Sequence, residues 1–278
     1  MRTQLFLFAI SATLLITGCK KKASIHVSGS TTVLPVVSTA AEKYKLIHPS
    51  VNIIVNAGGS GVAINQIGEG KVTIGMASRN ITSDEINQYP NVQFNTISIG
   101  KDAVVPVVSS EIFEAGIASL TLNQIAQIYK GEIRNWSEVG GPDWEILCVD
   151  KEKSRGTRHV FMAAVMGDKE ADAPGADLVL GSNNEEQTAI VQSNAAIGML
   201  SNAWLSNDVV GLNIIMPDSS IVAPSLENII AGKYPITRDL LIVVDGEPKG
   251  ESKEFIDYLL SSEGQKIVEE AGYVSINQ

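Results

Sequence analysis

Residues 25–46 have the sequence IHVSGSTTVLPVVSTAAEKYKL, which predicts a strand, a polar loop and a helix in direct succession. The strand covers Ile25–Val27 and the helix covers Leu34–Leu46. Pro35 suits the first turn of that helix, where its missing N–H would be unpaired in any case. A strand that leads through a short loop into a helix is the repeating unit of α/β layers around a mostly parallel sheet.

Shorter segments alternate in the same way after this unit, with strands predicted at 51–55 and 72–76 and helices at 61–67 and 83–89. Two longer extended runs stand out from this alternation. The first is 92–108, interrupted at Gly100–Asp102, and the second is 209–216, which ends before Pro217. We interpret both runs as crossings between two lobes, because the chain builds α/β units before, between and after them.

The sequence therefore predicts an α/β protein with two lobes and two interlobe crossings. Residues 25–102 and 217–278 are expected to form lobe one, and residues 103–216 to form lobe two. The 44% hydrophobic composition is sufficient for a large core or for two smaller ones.

The N-terminus predicts export. Residues 1–18 carry one positive charge and an apolar run over 5–16, which is shorter than the ~20 residues needed to span a bilayer and is typical of a signal peptide. Cys19 follows Gly18 in a pattern that resembles the lipobox of bacterial lipoproteins. We expect Cys19 to carry lipid, residues 19–24 to form the anchor and tether, and the protein to lie on the periplasmic or cell-surface side. The alternative is an ordinary secretory signal with a chance cysteine.

Composition and motifs exclude several function classes. A net charge of -10 disfavours a nucleic-acid partner, and 5% aromatic residues disfavour a base- or sugar-stacking site. The sequence has no Walker A motif, no G-x-S-x-G elbow and no dinucleotide fingerprint. The three histidines lack the spacing of a metal site. We therefore expect no enzymatic activity, no metal and no cofactor.

Three loops share one design, in which glycine and hydroxyl residues come immediately before a predicted helix. They are SGSTT at 28–32, GGSG at 58–61 and KSRGTR at 153–158. A helix start exposes unpaired N–H groups and the positive end of the helix dipole, so each loop is suited to hold an anion. Hydroxyls add donors, and glycine lets the backbone approach closely.

These loops also carry a family resemblance. SGSTTVLPV at 28–36, GGSGVAINQI at 58–67, IGMASR at 74–79 and SRGTR at 154–158 resemble the PstS family of phosphate-binding proteins from ABC transporters. The resemblance covers nearly the whole mature chain. It implies a periplasmic-binding-protein type II fold that closes over inorganic phosphate, delivery to ABC transporter permease subunits, and a monomer.

The resemblance also implies a set of ligand-binding residues. Thr31, Ser60 and Thr157 match family hydroxyl or turn positions, while Thr32 matches a backbone donor. The full set of expected phosphate-binding residues is Ser30, Thr31, Thr32, Ser60, Gly61, Arg79, Ser154, Arg155, Gly156 and Thr157.

Two arginines depart from the family pattern. Arg79 stands where well-known members have an aspartate that accepts the phosphate proton, and Arg155 stands at the usual serine of the helix-start turn. Guanidinium groups only donate hydrogen bonds. We therefore expect a different acceptor for that proton, with Asp102, Asp150 and Glu185 as candidates.

Other functions remain open at this point. The same cleft could hold sulfate, molybdate or tungstate, since polar and basic loops suit any of these oxyanions. An anchored phosphate sensor would use the same fold without delivering cargo. A hydrolase of phosphate esters has no supporting motif in the sequence.

Overall fold

The structure is a computed structural model and describes residues 24–277, so the predicted signal peptide and Cys19 lie outside the described residues. The predicted α/β class is confirmed. The first elements in chain order are β1 (Ser24–Ser30), α1 (Leu34–Ile47), β2 (Asn52–Gly58), α2 (Ser60–Gly68), β3 (Ile74–Ala77), α3 (Ser83–Gln88) and β4 (Phe94–Ser109).

The remaining chain first builds a second group of strands and helices and then returns to the first group. These elements are α4 (Ser110–Glu114), β5 (Ser119–Thr121), α5 (Leu122–Lys130), β6 (Leu147–Lys151), α6 (Gly156–Met166), β7 (Leu178–Leu180), α7 (Asn183–Val191), β8 (Ala196–Ser201), β9 (Val209–Gly211), β10 (Asn213–Ile215), β11 (Ile221–Val222), α8 (Leu226–Ile230), β12 (Thr237–Asp245), α9 (Gly250–Leu260) and α10 (Ser262–Glu270).

One long sheet path connects the two groups in the order β2-β1-β3-β12-β4-β8-β6-β7, with β9 also paired to β4. Strand β1 is parallel to β2 and β3, and β6 is parallel to β7 and β8. Strand β12 is antiparallel to both β3 and β4. Parallel strands place their carboxyl ends at one edge, where the loops into the following helices meet.

Strand β4 joins two hydrophobic cores. Its first half pairs with β12, and its second half pairs with β8. One core packs α1, α9 and α10 against the sheet around Val27 and Ile242, and the larger one surrounds Val105, Phe161 and Met199. Residues 100–102, where an interruption was predicted, pair with β12 in regular register inside one continuous strand. The register shifts beside them, at a β-bulge that leaves Ile99 unpaired between Gly100, which faces Leu240, and Ser98, which faces Leu241.

The return to the first core comes later than the sequence predicted. Strand β9 pairs with β4, and β10 pairs with β5, so the run 209–216 stays beside the second group. Ile229, Tyr234 and Ile236, which were expected in lobe one, pack into the larger core. The chain returns along β12, because β12 is the strand that pairs with both β3 and β4.

Within residues 24–277, no helix has the length and apolar character needed to cross a bilayer. The same residues contain no cluster of three or more histidine, cysteine or carboxylate side chains that could hold a metal ion.

Candidate functional site

A narrow pocket lies between the loops that follow β1, β2 and β3 on one side and β6 and β7 on the other. Its cavity volume is about 10 Å³, roughly the room for one ordered water, against the ~300–1,000 Å³ typical of pockets for drug-sized ligands, so only a small ligand suits it. Its lining residues are Ser30, Thr31, Thr32, Gly59, Ser60, Ser78, Lys151, Arg155, Gly156, Thr157, Gly181 and Asn183.

The loop between β1 and α1 contributes buried hydroxyls. Ser30 Oγ accepts from the Thr32 N–H at 3.2 Å and donates to Ser78 Oγ at 2.9 Å. The hydroxyl of Tyr273 donates to the Thr32 carbonyl at 2.7 Å and so holds the loop from behind. The Thr32 N–H, which the family resemblance assigned to the anion, is thus bonded to Ser30 here, while Thr31 remains in the pocket lining.

The turn between β2 and α2 places Ser60 at the base of the pocket. Ser60 is fully buried, and its Oγ accepts from the Ser78 N–H at 3.0 Å. Gly61 and Ser154 lie outside the lining. They form a bridge between the two sides, in which the Gly61 N–H donates to the Ser154 carbonyl at 3.1 Å.

The N-terminus of α6 enters the pocket from the opposite side. A Cβ on Gly156 would lie 2.6 Å from Ser78 Oγ and closer still to Ser60 Oγ, so only glycine allows this approach. Thr157 follows, with its Oγ1 3.4 Å from Thr32 Oγ1. Among residues 24–277 no side chain caps α6, so its first N–H groups and the positive end of its dipole are available to an anion.

Arg155 covers the pocket at its outer side. Its Nε and Nη2 donate to Glu152 Oε2 at 2.8 and 2.6 Å, and its Nη1 donates to the Gly58 carbonyl across the cleft. The side chain is 18% exposed. Arg155 therefore contributes positive charge to the pocket and connects the two sides.

Lys151 brings a second positive charge at the end of β6. It is buried and forms an ion pair with Glu186, whose Oε1 accepts from the Met199 N–H at 2.6 Å. Burial lowers the pKa of Lys151, and the Glu186 carboxylate partly offsets this effect. Among the described residues that line the pocket, none is aspartate or glutamate. The arrangement can therefore bind a small anion.

The structure does not bring Arg79 to the pocket. Its two terminal nitrogens donate to Glu85 at 2.8 and 2.7 Å, and Glu85 in turn completes the capping box of α3 with Thr82. Burial alone would raise the pKa of Glu85, but the hydrogen bonds from Arg79 and Thr82 lower it overall. Arg79 thus supports the start of α3.

The three candidate acceptors for a phosphate proton also lie outside the lining. Asp102 accepts from Arg238 and Ser201, and Asp150 accepts from Arg158 Nε with both oxygens at 3.0 Å. Glu185 accepts from the backbone N–H groups that precede α7.

Five lining residues lie outside the expected set, namely Gly59, Ser78, Lys151, Gly181 and Asn183, and Arg238 lies behind the pocket. Ser78 adjoins Arg79 in the motif that was singled out, so its position at the end of β3 was the available signal. Asn183 is the first residue of α7 and donates to Thr32 Oγ1 at 3.2 Å. Arg238 lies on β12 without any local motif.

Comparison with known families identifies the domain type. The family model described as a PBP superfamily domain matches residues 17–263. A phosphate-binding protein PstS of Bacillus subtilis is 32% identical over 259 residues, which covers 92% of this chain and 82% of that protein. A phosphate-binding protein PstS of Borreliella burgdorferi is 31% identical and is covered over 99% of both chains.

Solved structures give the same result. A phosphate ABC transporter substrate-binding protein of Clostridium perfringens, solved with bound phosphate, has a TM-score of 0.81 and 33% identity, with 91% of this chain and 99% of that chain covered. An ABC-type phosphate transport receptor of Vibrio cholerae has a TM-score of 0.71 and 32% identity, with 90% and 99% covered. These matches confirm the predicted two-lobed fold.

Proposed function

Because this chain belongs to the PstS family within the PBP superfamily, we propose that it captures inorganic phosphate between its lobes and delivers it to an ABC transporter permease. The observation that carries this proposal is the pocket itself. It is small, it is lined by hydroxyls and two cationic side chains, and its described lining contains no carboxylate.

The energetics favour a buried anion at this place. Moving a charged ion out of water is costly unless hydrogen bonds and opposite charges replace its hydration. The N-terminus of α6, the hydroxyls of Ser60 and Thr157, and the charges of Lys151 and Arg155 supply such partners together. Charge-assisted hydrogen bonds of this kind are about twice as strong as neutral ones.

Contacts across the cleft support capture by closure. Gly61 donates to Ser154 at 3.1 Å, and Asn183 donates to Thr32 at 3.2 Å. Since these bonds join the two sides of the pocket, they form only when the sides are close. A ligand that bonds to both sides would shift the population toward this closed arrangement.

Calorimetry of the protein, after removal of any bound ligand, tests the proposal directly. We expect phosphate to bind with a stoichiometry of one and to compete with its close analogue arsenate. No heat of binding with phosphate, in protein that melts cooperatively, would overturn the proposed function.

One observation also supports a different oxyanion as the ligand. The described lining lacks a carboxylate that would repel sulfate, which has no proton to donate to an acceptor. Sulfate, molybdate and tungstate therefore belong in the same titration. Sulfate binding much tighter than phosphate binding would change the assigned ligand and leave the oxyanion site intact.

Export and anchoring form a further part of the proposal. We expect acylation at Cys19, removal of residues 1–18, and a monomer held on the periplasmic or cell-surface side. The variant Cys19→Ser should lose incorporated labelled fatty acid and be released into the soluble extracytoplasmic fraction, whereas Cys148→Ser should remain anchored. Unchanged labelling of Cys19→Ser would exclude this attachment site.

A further inference from the structure

Arg238 and Asp102 form a buried ion pair between the two strands that join the lobes. They face each other directly in the register of β12 and β4. Arg238 Nε lies 2.9 Å and Nη2 lies 2.5 Å from Asp102 Oδ2, while Ser201 Oγ donates to Asp102 Oδ1 at 2.8 Å. The ion pair therefore fixes the guanidinium behind the pocket.

The remaining guanidinium donors contact three hydroxyls of the pocket. Nη1 lies 3.1 Å from Thr157 Oγ1 and 3.3 Å from both Ser78 Oγ and the Ser78 carbonyl oxygen, and Nη2 lies 3.3 Å from Thr32 Oγ1. All three hydroxyl residues line the pocket, whereas Arg238 does not. Arg238 therefore acts on a ligand through the hydroxyls.

These contacts decide the direction of the hydroxyl hydrogen bonds. A guanidinium only donates, whereas a hydroxyl has one proton to give and two lone pairs to accept with. Thr32 Oγ1 accepts from Arg238 and from Asn183 Nδ2, and Ser78 Oγ accepts from Arg238 and from Ser30 Oγ. With both lone pairs engaged, the hydroxyls of Thr32 and Ser78 can only donate, whereas Thr157 Oγ1 accepts from Arg238 with one lone pair.

We propose that Arg238, held by Asp102, is a positioning residue that fixes the hydroxyls of Thr32 and Ser78 as donors and occupies one lone pair of Thr157, so that the pocket prefers dianionic over monoanionic phosphate. The monoanion carries an additional proton, which would meet donors where it needs an acceptor. This inference rests on the proposed function and specifies the ionic form that the same site selects.

Other titratable groups surround the hydroxyls, and their effect on the pH dependence of affinity must be distinguished from that of the ligand's own ionisation. Two ion pairs lie at the pocket. Lys151 of β6 pairs with Glu186, and Arg155 of the loop before α6 pairs with Glu152. Tyr273 approaches from behind after α10, and Arg158 pairs with Asp150 along α6 and β6. Sulfate does not ionise near neutral pH, so its affinity reports changes in the protein alone.

The test uses a charge-balanced double variant, Asp102→Asn with Arg238→Met, and the conservative variant Arg238→Lys. Phosphate and sulfate affinities are measured by calorimetry from about pH 5 to about pH 8. The ³¹P shift of bound phosphate over the same range reports its protonation, and thermal melting reports folding.

In the wild-type protein, we expect phosphate affinity to fall as the pH drops through the second ionisation of phosphate, while sulfate affinity changes less. The double variant should bind phosphate at least about tenfold more weakly at high pH, and its pH dependence should flatten because the freed hydroxyls can accept the extra proton. The phosphate affinity of Arg238→Lys and its pH dependence should lie between those of the wild type and the double variant, since lysine still donates hydrogen bonds.

Each outcome bears on a different claim. Wild-type protein that binds no phosphate would refute the proposed function. Wild-type binding with an unchanged pH profile in a folded double variant would overturn the positioning role alone. If the double variant fails to fold, Arg238→Lys decides, and a profile identical to the wild type in that variant would overturn the inference.

Discussion

Thr157 presents its hydroxyl at the start of α6, where it accepts from Arg238 and lies near Thr32. Thr157→Ala should weaken phosphate binding by about 1.5 to 3 kcal/mol, because the buried anion loses a hydrogen bond that nothing replaces. Titration calorimetry measures the change. Thr188→Ala is the matched control, since Thr188 is exposed on α7 and its hydroxyl donates to the Asn184 carbonyl. Equal affinities of the two variants would remove Thr157 from the site.

A substitution at Gly156 tests the importance of the close approach of α6 to the opposite loops. Gly156→Ala places a Cβ against the hydroxyl oxygens of Ser60 and Ser78, which sit in a buried network. We expect phosphate affinity to fall by more than about tenfold, because the two sides can no longer reach their closed spacing. Gly59→Ala should cost much less, since its Cβ would meet only the Arg155 side chain, at 3.0 Å from Cδ. A smaller loss in Gly156→Ala than in Gly59→Ala would contradict this account.

The site residues that sequence predicted are those whose role depends on local chain geometry. Ser30, Ser60 and Thr157 could be found because hydroxyls and glycines at a helix start form a local pattern. Arg79 was expected in the site and lies outside it, whereas Arg238, for which the sequence predicted no role, lies behind the pocket. Arg79 finds Glu85 six residues away, whereas Arg238 reaches the pocket through pairing with Asp102, which is 136 residues distant in sequence.

At the scale of elements, α3 depends on an ion pair that also serves its capping box. The pKa of Glu85 is lowered in the folded protein, so its pairing with Arg79 stabilises the fold above the unfolded pKa of glutamate and is lost as the pH falls through the folded value. Arg79→Ala should therefore lower the melting temperature at neutral pH, and the difference from wild type should shrink in acid. Phosphate affinity should stay within about twofold of wild type, because Arg79 does not line the pocket.

Thermal melting from about pH 3 to about pH 7 checks this prediction. Lys266→Ala is the control, since Lys266 and its partner Glu270 are exposed, and surface pairs of this kind contribute little. A melting difference that stays constant with pH, or a large loss of affinity, would show that Arg79 acts in another way.

The two predicted crossings show that a local sequence pattern does not determine which strands connect the lobes. A run of alternating β-branched residues has the same pattern whether the strand crosses between lobes or pairs within one lobe. The run 92–108 does cross, because β4 pairs with β12 and then with β8. The run 209–216 divides at Leu212 into two short strands of the second group, and only pairing partners distant in sequence distinguish the cases.

For the whole molecule, the closed arrangement depends on few direct bonds across the cleft. Arg155 provides one of them, because it donates to Gly58 on the opposite side while Glu152 holds it on its own side. Trp204 lies in a neighbouring depression that Thr31 and Ser182 also line, so its fluorescence should report closure. Stopped-flow fluorescence can therefore follow phosphate binding and release separately.

Arg155→Ala should raise the dissociation rate of phosphate by about tenfold or more and change the association rate much less, because the lost contacts form mainly after closure. Arg134→Ala is a close control. Arg134 likewise donates to a glycine carbonyl and pairs with a carboxylate, Gly175 at 2.9 Å and Asp177 at 3.0 Å, but all three belong to the second group. The association and dissociation rates of phosphate in Arg134→Ala should match those of the wild type. If Arg155→Ala instead slowed association and left dissociation unchanged, Arg155 would attract the anion by charge and would not hold the lobes closed.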